Sequence, residues 1–222
     1  MNKIYVIVIV ITIIIAVIVG GIVRASFVDT QKISLDDLME YKVMGGPWFY
    51  EKNFSFSDLV EDSEVIVKGT ALEREFLHLS TLVGFRVVSV YKGNDSLKNK
   101  TIYIFEPSFF NFKNKFFIIH NGYNFMKYGD EYILFLKKWP YLEYMKYNPF
   151  YKNKDIYMLT HNGGIDKYNT NNVFFDKILS SEQEYYYREI EEYEVIAYSK
   201  DELNRYNEIK KQILEKFLNI NK

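Results

Sequence analysis

The chain has 222 residues, with 28 basic and 29 acidic side chains and no cysteine. The absence of cysteine excludes a disulfide framework, a thiolate metal site and a lipid-modified cysteine anchor. The near-neutral balance removes any global electrostatic reason to bind nucleic acid.

Ile4 to Val23 is an unbroken run of uncharged residues between Lys3 and Arg24. At about 1.5 Å rise per residue, a helix of that length crosses the roughly 30 Å hydrocarbon core of a bilayer. Ile and Val are mediocre helix formers in water, but in lipid a helix satisfies every backbone polar group internally. The run fits an uncleaved anchor better than a secretory signal, whose apolar region is about 7 to 15 residues long. The alternative is secretion after cleavage near Ala25. Lys3 precedes the run, whereas Asp29, Asp36 and Asp37 soon follow Arg24, so the charge bias places the N-terminus inside and the body on the extracytoplasmic side. A cysteine-free exported body, with the Lys, Asn, Ile, Tyr and Phe enrichment that AT-rich codons give, suggests a bacterial source.

Residues 26–56 read as a connector with one short helix, capped by Ser34 and carrying Asp36 and Asp37 in its first turn. Gly45-Gly46-Pro47 breaks the chain. A second short helix is expected from Ser57. Strands follow at Val65–Val67, with a bend or bulge at Gly69, and at Phe85–Tyr91, which ends in the turn Lys92-Gly93-Asn94-Asp95. Others are expected at Thr101–Phe105, Tyr132–Leu136, Ile156–Leu159, Val173–Phe175 and Tyr193–Tyr198. The Tyr132–Leu136 run is almost continuously apolar and so should lie centrally. Ser199-Lys200-Asp201-Glu202 forms a capping box for a C-terminal helix over 199–222. Its broad apolar face carries Leu203, Tyr206, Ile209, Ile213, Phe217 and Ile220. The chain therefore reads as mainly β with terminal helices: an anchor (1–25), a connector (26–56), a small OB-like β-barrel (57–198) and an amphipathic helix that closes it.

Four segments taken in order carry a resemblance. Glu64-Val65-Ile66-Val67-Lys68-Gly69, Val90-Tyr91-Lys92-Gly93, Thr101-Ile102-Tyr103-Ile104 and Gly129-Asp130-Glu131-Tyr132 with the apolar strand after it resemble the OB-type barrels of the netrin and tissue-inhibitor-of-metalloproteinase class. They also resemble related extracytoplasmic domains of Gram-positive bacteria. The similarity covers about residues 57 to 165 and rests on framework features, so it implies a fold and no activity. The animal inhibitors reach a protease metal through an amino-terminal cysteine, which this chain lacks.

Catalytic signatures are absent: there is no G-x-S-x-G elbow, phosphate loop, H-E-x-x-H helix or paired cysteine. No catalytic residue, metal ligand or cofactor is assigned. Glu75 and His78 are three apart, but in a strand that spacing points them to opposite faces. His161 with a carboxylate such as Asp166 is the alternative, as the general base of a surface or secreted enzyme.

Charge is distributed unevenly. Lys98 to Lys154 holds ten lysines against four acids, while Glu182 to Glu202 holds eight acids against Arg188 and Lys200. The basic region interleaves aromatics in two long gaps between strands, 107–128 and 139–155. Long loops on a rigid scaffold commonly carry binding. The chain is therefore expected to be a membrane-tethered, non-enzymatic binding module. Lys113, Lys115, Lys146 and Lys152 would supply charge, and Trp139 and Tyr141 apolar contact. Expected partners are the membrane through Ile4–Val23 and an anionic cell-wall polymer, lipid headgroup or acidic protein; nucleic acid is disfavoured outside the cell. Two bland alternatives stand beside this: a structural or immunity-type partner protein, and a fold in which the acidic stretch covers the basic loops while the aromatics fill the core.

Overall fold

A computed structural model describes residues 3–26, 33–46, 54–77, 79–140, 147–175 and 177–219. Pro47, His78, Tyr141, Lys146 and Ile220, to which the sequence assigned roles, lie outside the described residues. The chain divides into two compact units, 1–34 and 35–222.

In the first unit, α1 (Lys3–Ser26) is one helix whose window from Lys3 to Arg24 is long and apolar enough to cross a membrane, with mean hydropathy 3.4 and none of it buried in protein. That exposure separates it from the core helix of a soluble protein, because exposed Ile and Val in water forgo about 1.5–3 kcal/mol of burial each.

The second unit begins with α2 (Leu35–Met39), β1 (Lys42–Gly45) and α3 (Phe56–Asp62), and then enters the sheet. Ser55, rather than Ser57, caps α3, in a reciprocal box with Asp58. Five strands form a closed barrel: β2 (Val65–Phe76), β3 (Thr81–Lys92), β4 (Thr101–Glu106), β8 (Ile156–Leu159) and β7 (Glu131–Lys138), with β7 pairing back onto β2. All these pairings are antiparallel except β4 with β8. In barrel order the strands run first, second, third, fifth, fourth and back to the first, an order compatible with an OB-like barrel. β2 is irregular at Lys68/Gly69, where the sequence suggested a bulge. A Cβ on Gly69 would lie 2.2 Å from the Arg86 carbonyl oxygen, so only glycine lets the strands approach there.

The expected β7 is central: Tyr132 to Leu136 are all buried, because β2 flanks one edge while β8 and β9 (Lys167–Asn169) share the other. After the single turn α4 (Tyr187–Ile190), the capping box of Ser199 and Glu202 opens α5 (Lys200–Leu218), as expected. Leu203, Tyr206, Ile209 and Ile213 pack on Ile66, Ile133, Phe135 and Tyr168, and so cover one side of the barrel.

Two expected strands do not form. Val173–Phe175 is irregular and largely exposed. In the 193–198 segment the only strand pairing is an isolated bridge from Val195 to Tyr123, although Glu194 to Ala197 are buried. Four further strands appear where none was expected: β9 on the barrel edge, and three that form a separate sheet. β1 pairs in parallel with β6 (Phe116–Ile119), and β6 pairs with β5 (Phe109–Asn111), giving a small three-stranded sheet.

Candidate functional site

Of the six residues expected to form a ligand surface, the structure describes four. Lys113 and Lys115 are exposed at the β5–β6 turn, where Lys115 takes a positive φ of 55°. Lys152 is exposed in the loop before β8. Trp139 is half-buried, with its ring 4.6 Å from that of Phe105. Tyr141 and Lys146 are outside the described residues.

The aromatics around the two hairpin lysines are mostly core. Phe110 meets Phe117 at 5.0 Å, Tyr187 at 5.0 Å and Tyr41 at 5.5 Å, and all four are buried. Alternation along β5 and β6 explains the mixture: every second side chain turns inward, and the lysines collect at the turn. Among the described residues, Lys113, Lys115 and Lys152 make no ion pair. The acidic stretch pairs with other lysines, of which Lys127 belongs to the basic region: Glu184 with Lys42 at 2.9 Å, Glu192 with Lys127, and Glu194 with Lys210 at 2.7 Å.

The last of these pairs lies in a buried polar network that no local spacing announces. Lys210 on α5 is fully buried and donates to Glu194 Oε2, to the Val173 carbonyl at 2.8 Å and to Asn171 Oδ1 at 3.3 Å. Glu194 also accepts from Tyr206 Oη at 2.5 Å and from the Asn169 backbone amide. Nearby, Lys167 donates to the carbonyls of Asn124 (2.7 Å) and Glu194 (2.8 Å) and sits 4.7 Å over the Tyr123 ring. Burial drives its pKa down to about 8. On the other side, Arg74 Nε donates to Glu106 Oε2 at 2.8 Å, and Glu106 Oε1 accepts from Tyr123 Oη at 2.8 Å. These charges sit in their own acceptors and donors, so they bind the chain to itself.

His161 and Asp166 do meet. The ring Nδ1 is 2.8 Å from Asp166 Oδ1, and Nε2 is 3.0 Å from Asp62 Oδ2 at the end of α3. Asp166 is wholly buried and accepts from the His161 and Gly163 amides through Oδ2. Burial depresses the imidazole, the two carboxylates outweigh it, and the net pKa is raised above 6.5. Both ring nitrogens are engaged, and the neighbouring Ser63 and Thr160 hydroxyls are buried and bonded to each other at 3.0 Å. The arrangement can clasp α3 to the 3₁₀ turn Gly164–Asp166; it presents no free nitrogen to a substrate proton. Among the described residues no cluster of three or more His, Cys, Asp or Glu side chains could hold a metal.

A concave site does occur beside β1. A cleft of about 610 Å³ is lined by Val43, Met44, Gly45 and Gly46, by the Ser180–Tyr185 segment, and by Tyr198 and Glu202 at the start of α5. The elements around it explain why it opens. Tyr187 N donates to Tyr41 O at 2.9 Å, and Val43 N donates to Tyr185 O at 2.8 Å, the two bonds of one antiparallel bridge. The segments then part. β1 gives its Lys42 amide to the β6 side, so alternation sends the Gly45 N–H to the cleft side. A Cβ on Gly45 would stand 2.8 Å from Ile119 Cβ and 3.2 Å from Tyr198 Oη, so glycine keeps this backbone close-packed. The Glu202 carboxylate accepts from the Tyr198 and Ser199 amides at 2.8 and 3.0 Å, which satisfies the helix end.

No protein-family model matches the chain, and no curated protein matches it.

Proposed function

We propose that this chain is a membrane-tethered, extracytoplasmic, non-enzymatic binding module on an OB-type barrel, and that it holds an extended segment of an acidic partner protein in the cleft beside β1. The observation that carries the reading is the open outer edge of β1. Beyond the bridge to Tyr186, no acceptor for the outward Gly45 N–H is found among the described residues, and a strand edge of this kind facing a cleft of about 610 Å³ asks for a backbone acceptor from another segment. Strand addition answers that demand: main-chain bonds give affinity, and alternate side chains fill the pocket. Val43, Met44, Tyr185 and Tyr198 supply the apolar and aromatic wall.

Lys113 and Lys115 belong to this proposal as steering charges, because β1 and their hairpin share one sheet. Exposed lysines speed association with an acidic partner at low salt and contribute little once it is bound. The barrel order and its single parallel pair support the OB-type reading, and the framework motifs support likeness to the netrin class. The apolar α1 supports tethering, with the charge bias favouring an external body.

The test uses the full chain in nanodiscs, panned against a displayed library of random dodecapeptides. Enriched peptides should be β-prone and acidic, and N-methylating their alternate amides should abolish binding. Ser181→Trp, which fills the cleft from an exposed position, should block binding by tenfold or more. No enrichment, or binding indifferent to N-methylation, sinks the proposal.

A further inference from the structure

Outside α1, eight large apolar side chains are exposed among the described residues, and three of them fall within six positions: Val173 (56%), Phe174 (42%) and Ile178 (48%). Elsewhere such residues occur singly, which is ordinary for a protein surface. The backbone beneath these three is held firmly. Lys210 Nζ donates to the Val173 carbonyl at 2.8 Å, Asn207 Nδ2 to the Phe175 carbonyl at 2.7 Å, and the Leu179 amide to Ala197 O at 2.8 Å. Two donors from α5 and one backbone bond thus hold positions 173, 175 and 179, while Val173 and Ile178 stand exposed and Phe174 is partly exposed with its ring 5.9 Å from Lys210 Nζ. Phe175 turns the other way and packs on the barrel core. Lys177, also exposed, adds a cation among them, next in sequence to Asp176.

We infer that this loop is a second membrane contact, by which the body rests on the bilayer that its own anchor enters. The inference rests on the tethering reading proposed above. What identifies the occupant is covalent reach. The ten residues from Ala25 to Ser34 cannot exceed about 35 Å in any conformation, so a body anchored through α1 never leaves the neighbourhood of the headgroups. At that effective concentration, a contact too weak to recruit a free protein suffices to orient a tethered one. The chemistry matches: aliphatic and aromatic side chains enter the headgroup–acyl boundary, while a lysine at their side meets phosphate. The loop's pinned backbone leaves little ordering entropy to lose on contact. Its occupant is lipid, and a second copy of the chain is the competing outcome.

The absence of cysteine makes the experiment direct, since one introduced thiol labels uniquely. Full-length chains carrying Val173→Cys, Ile178→Cys or, as a control, Tyr147→Cys (82% exposed) are labelled with an environment-sensitive fluorophore. They are then reconstituted into phosphatidylcholine–phosphatidylglycerol vesicles. Dye at 173 and 178 should shift to the blue and be quenched by lipid-borne nitroxide at least threefold more than dye at 147. Quenching equal to that at 147 overturns the inference while leaving the anchor intact. A blue shift without lipid quenching, lost on dilution of protein in lipid, assigns the loop to a second copy and also overturns it. Failure of the chain to float with the vesicles removes the tether and the inference together.

Discussion

Replacing Lys210 by Met tests whether the buried network, rather than apolar packing alone, holds α5 on the barrel. The methylene stem is kept in shape, and the ammonium is removed from a site where Lys210 is wholly buried and the Glu194 side chain is 5% exposed. Breaking one partner of a buried pair leaves an uncompensated charge and costs about 3–5 kcal/mol. Here Glu194 keeps two of its three donors, Tyr206 Oη and the Asn169 amide, so the loss falls near the lower bound, about 3 kcal/mol. For a body of this size that lowers the melting temperature by about 6–12 °C.

The assay is denaturant unfolding of the full chain in detergent micelles, followed by near-ultraviolet circular dichroism. Tyr206 stacks on Tyr168 at 4.9 Å and reports on this junction. Adding Glu194→Gln to the Lys210→Met variant removes the stranded charge while retaining an oxygen for both remaining donors. The double variant should recover at least half of the loss, a coupling that a packing defect cannot produce. A Lys210→Met variant within 1 kcal/mol of the parent would refute the electrostatic account.

Two further outcomes follow from the site geometry. Replacing Lys113, Lys115 and Lys152 together by Ser should leave stability within about 0.5 kcal/mol, since these side chains are exposed and outside every ion pair found. In the same variant, adsorption to anionic vesicles or cell-wall preparations should fall; loss of folding instead would show that the lysines are structural. The His161 clasp makes a signed pH prediction. Its folded pKa is raised, so its stabilisation is complete below the unfolded value near 6.5 and fades as pH climbs through the folded value. The stability gap between the parent and a His161→Gln variant should therefore be widest in mild acid and narrow above neutrality, and ring-proton NMR should place the midpoint above 6.5.

Periodic and local features were legible in the sequence. The capping box at Ser199 and Glu202, the β7 apolar run and the Ile156–Leu159 strand each declare themselves within a few residues, and all stand as read. The misreadings have separate physical causes, the first being that apolar content reports burial, and burial does not require a ladder. Glu194 to Ala197 are buried against the barrel with a single bridge, so a strand-like run needs no strand. Val173 and Phe174 fail in the opposite sense, being β-prone yet exposed, because side chains of α5 rather than another strand satisfy their segment. β1 was invisible because four residues with two exposed members carry no period, and its parallel partner lies over 70 positions away. His161 and Asp166 could be paired from their spacing, but Asp62, 99 positions upstream, could not.

The same network bears on how the charge contrast along the chain should be understood. Eight acids in 182–202 facing a lysine-rich region look like a built-in cover for a binding surface. In the structure that stretch is a strap whose acids are used at close quarters: Glu184 on β1, Glu189 on its own helix start, Glu194 in the core and Glu202 at the α5 cap. The contacts of Glu184, Glu194 and Glu202 tie the 180–198 segment to β1 and α5, the walls of the cleft. Neutralising the strap is therefore expected to widen or collapse the cleft rather than uncover Lys113 and Lys115, with which, among the described residues, it makes no ion pair. Binding lost through Glu194→Gln and binding lost through the lysine variant thus have different signatures: the first travels with stability, the second with salt.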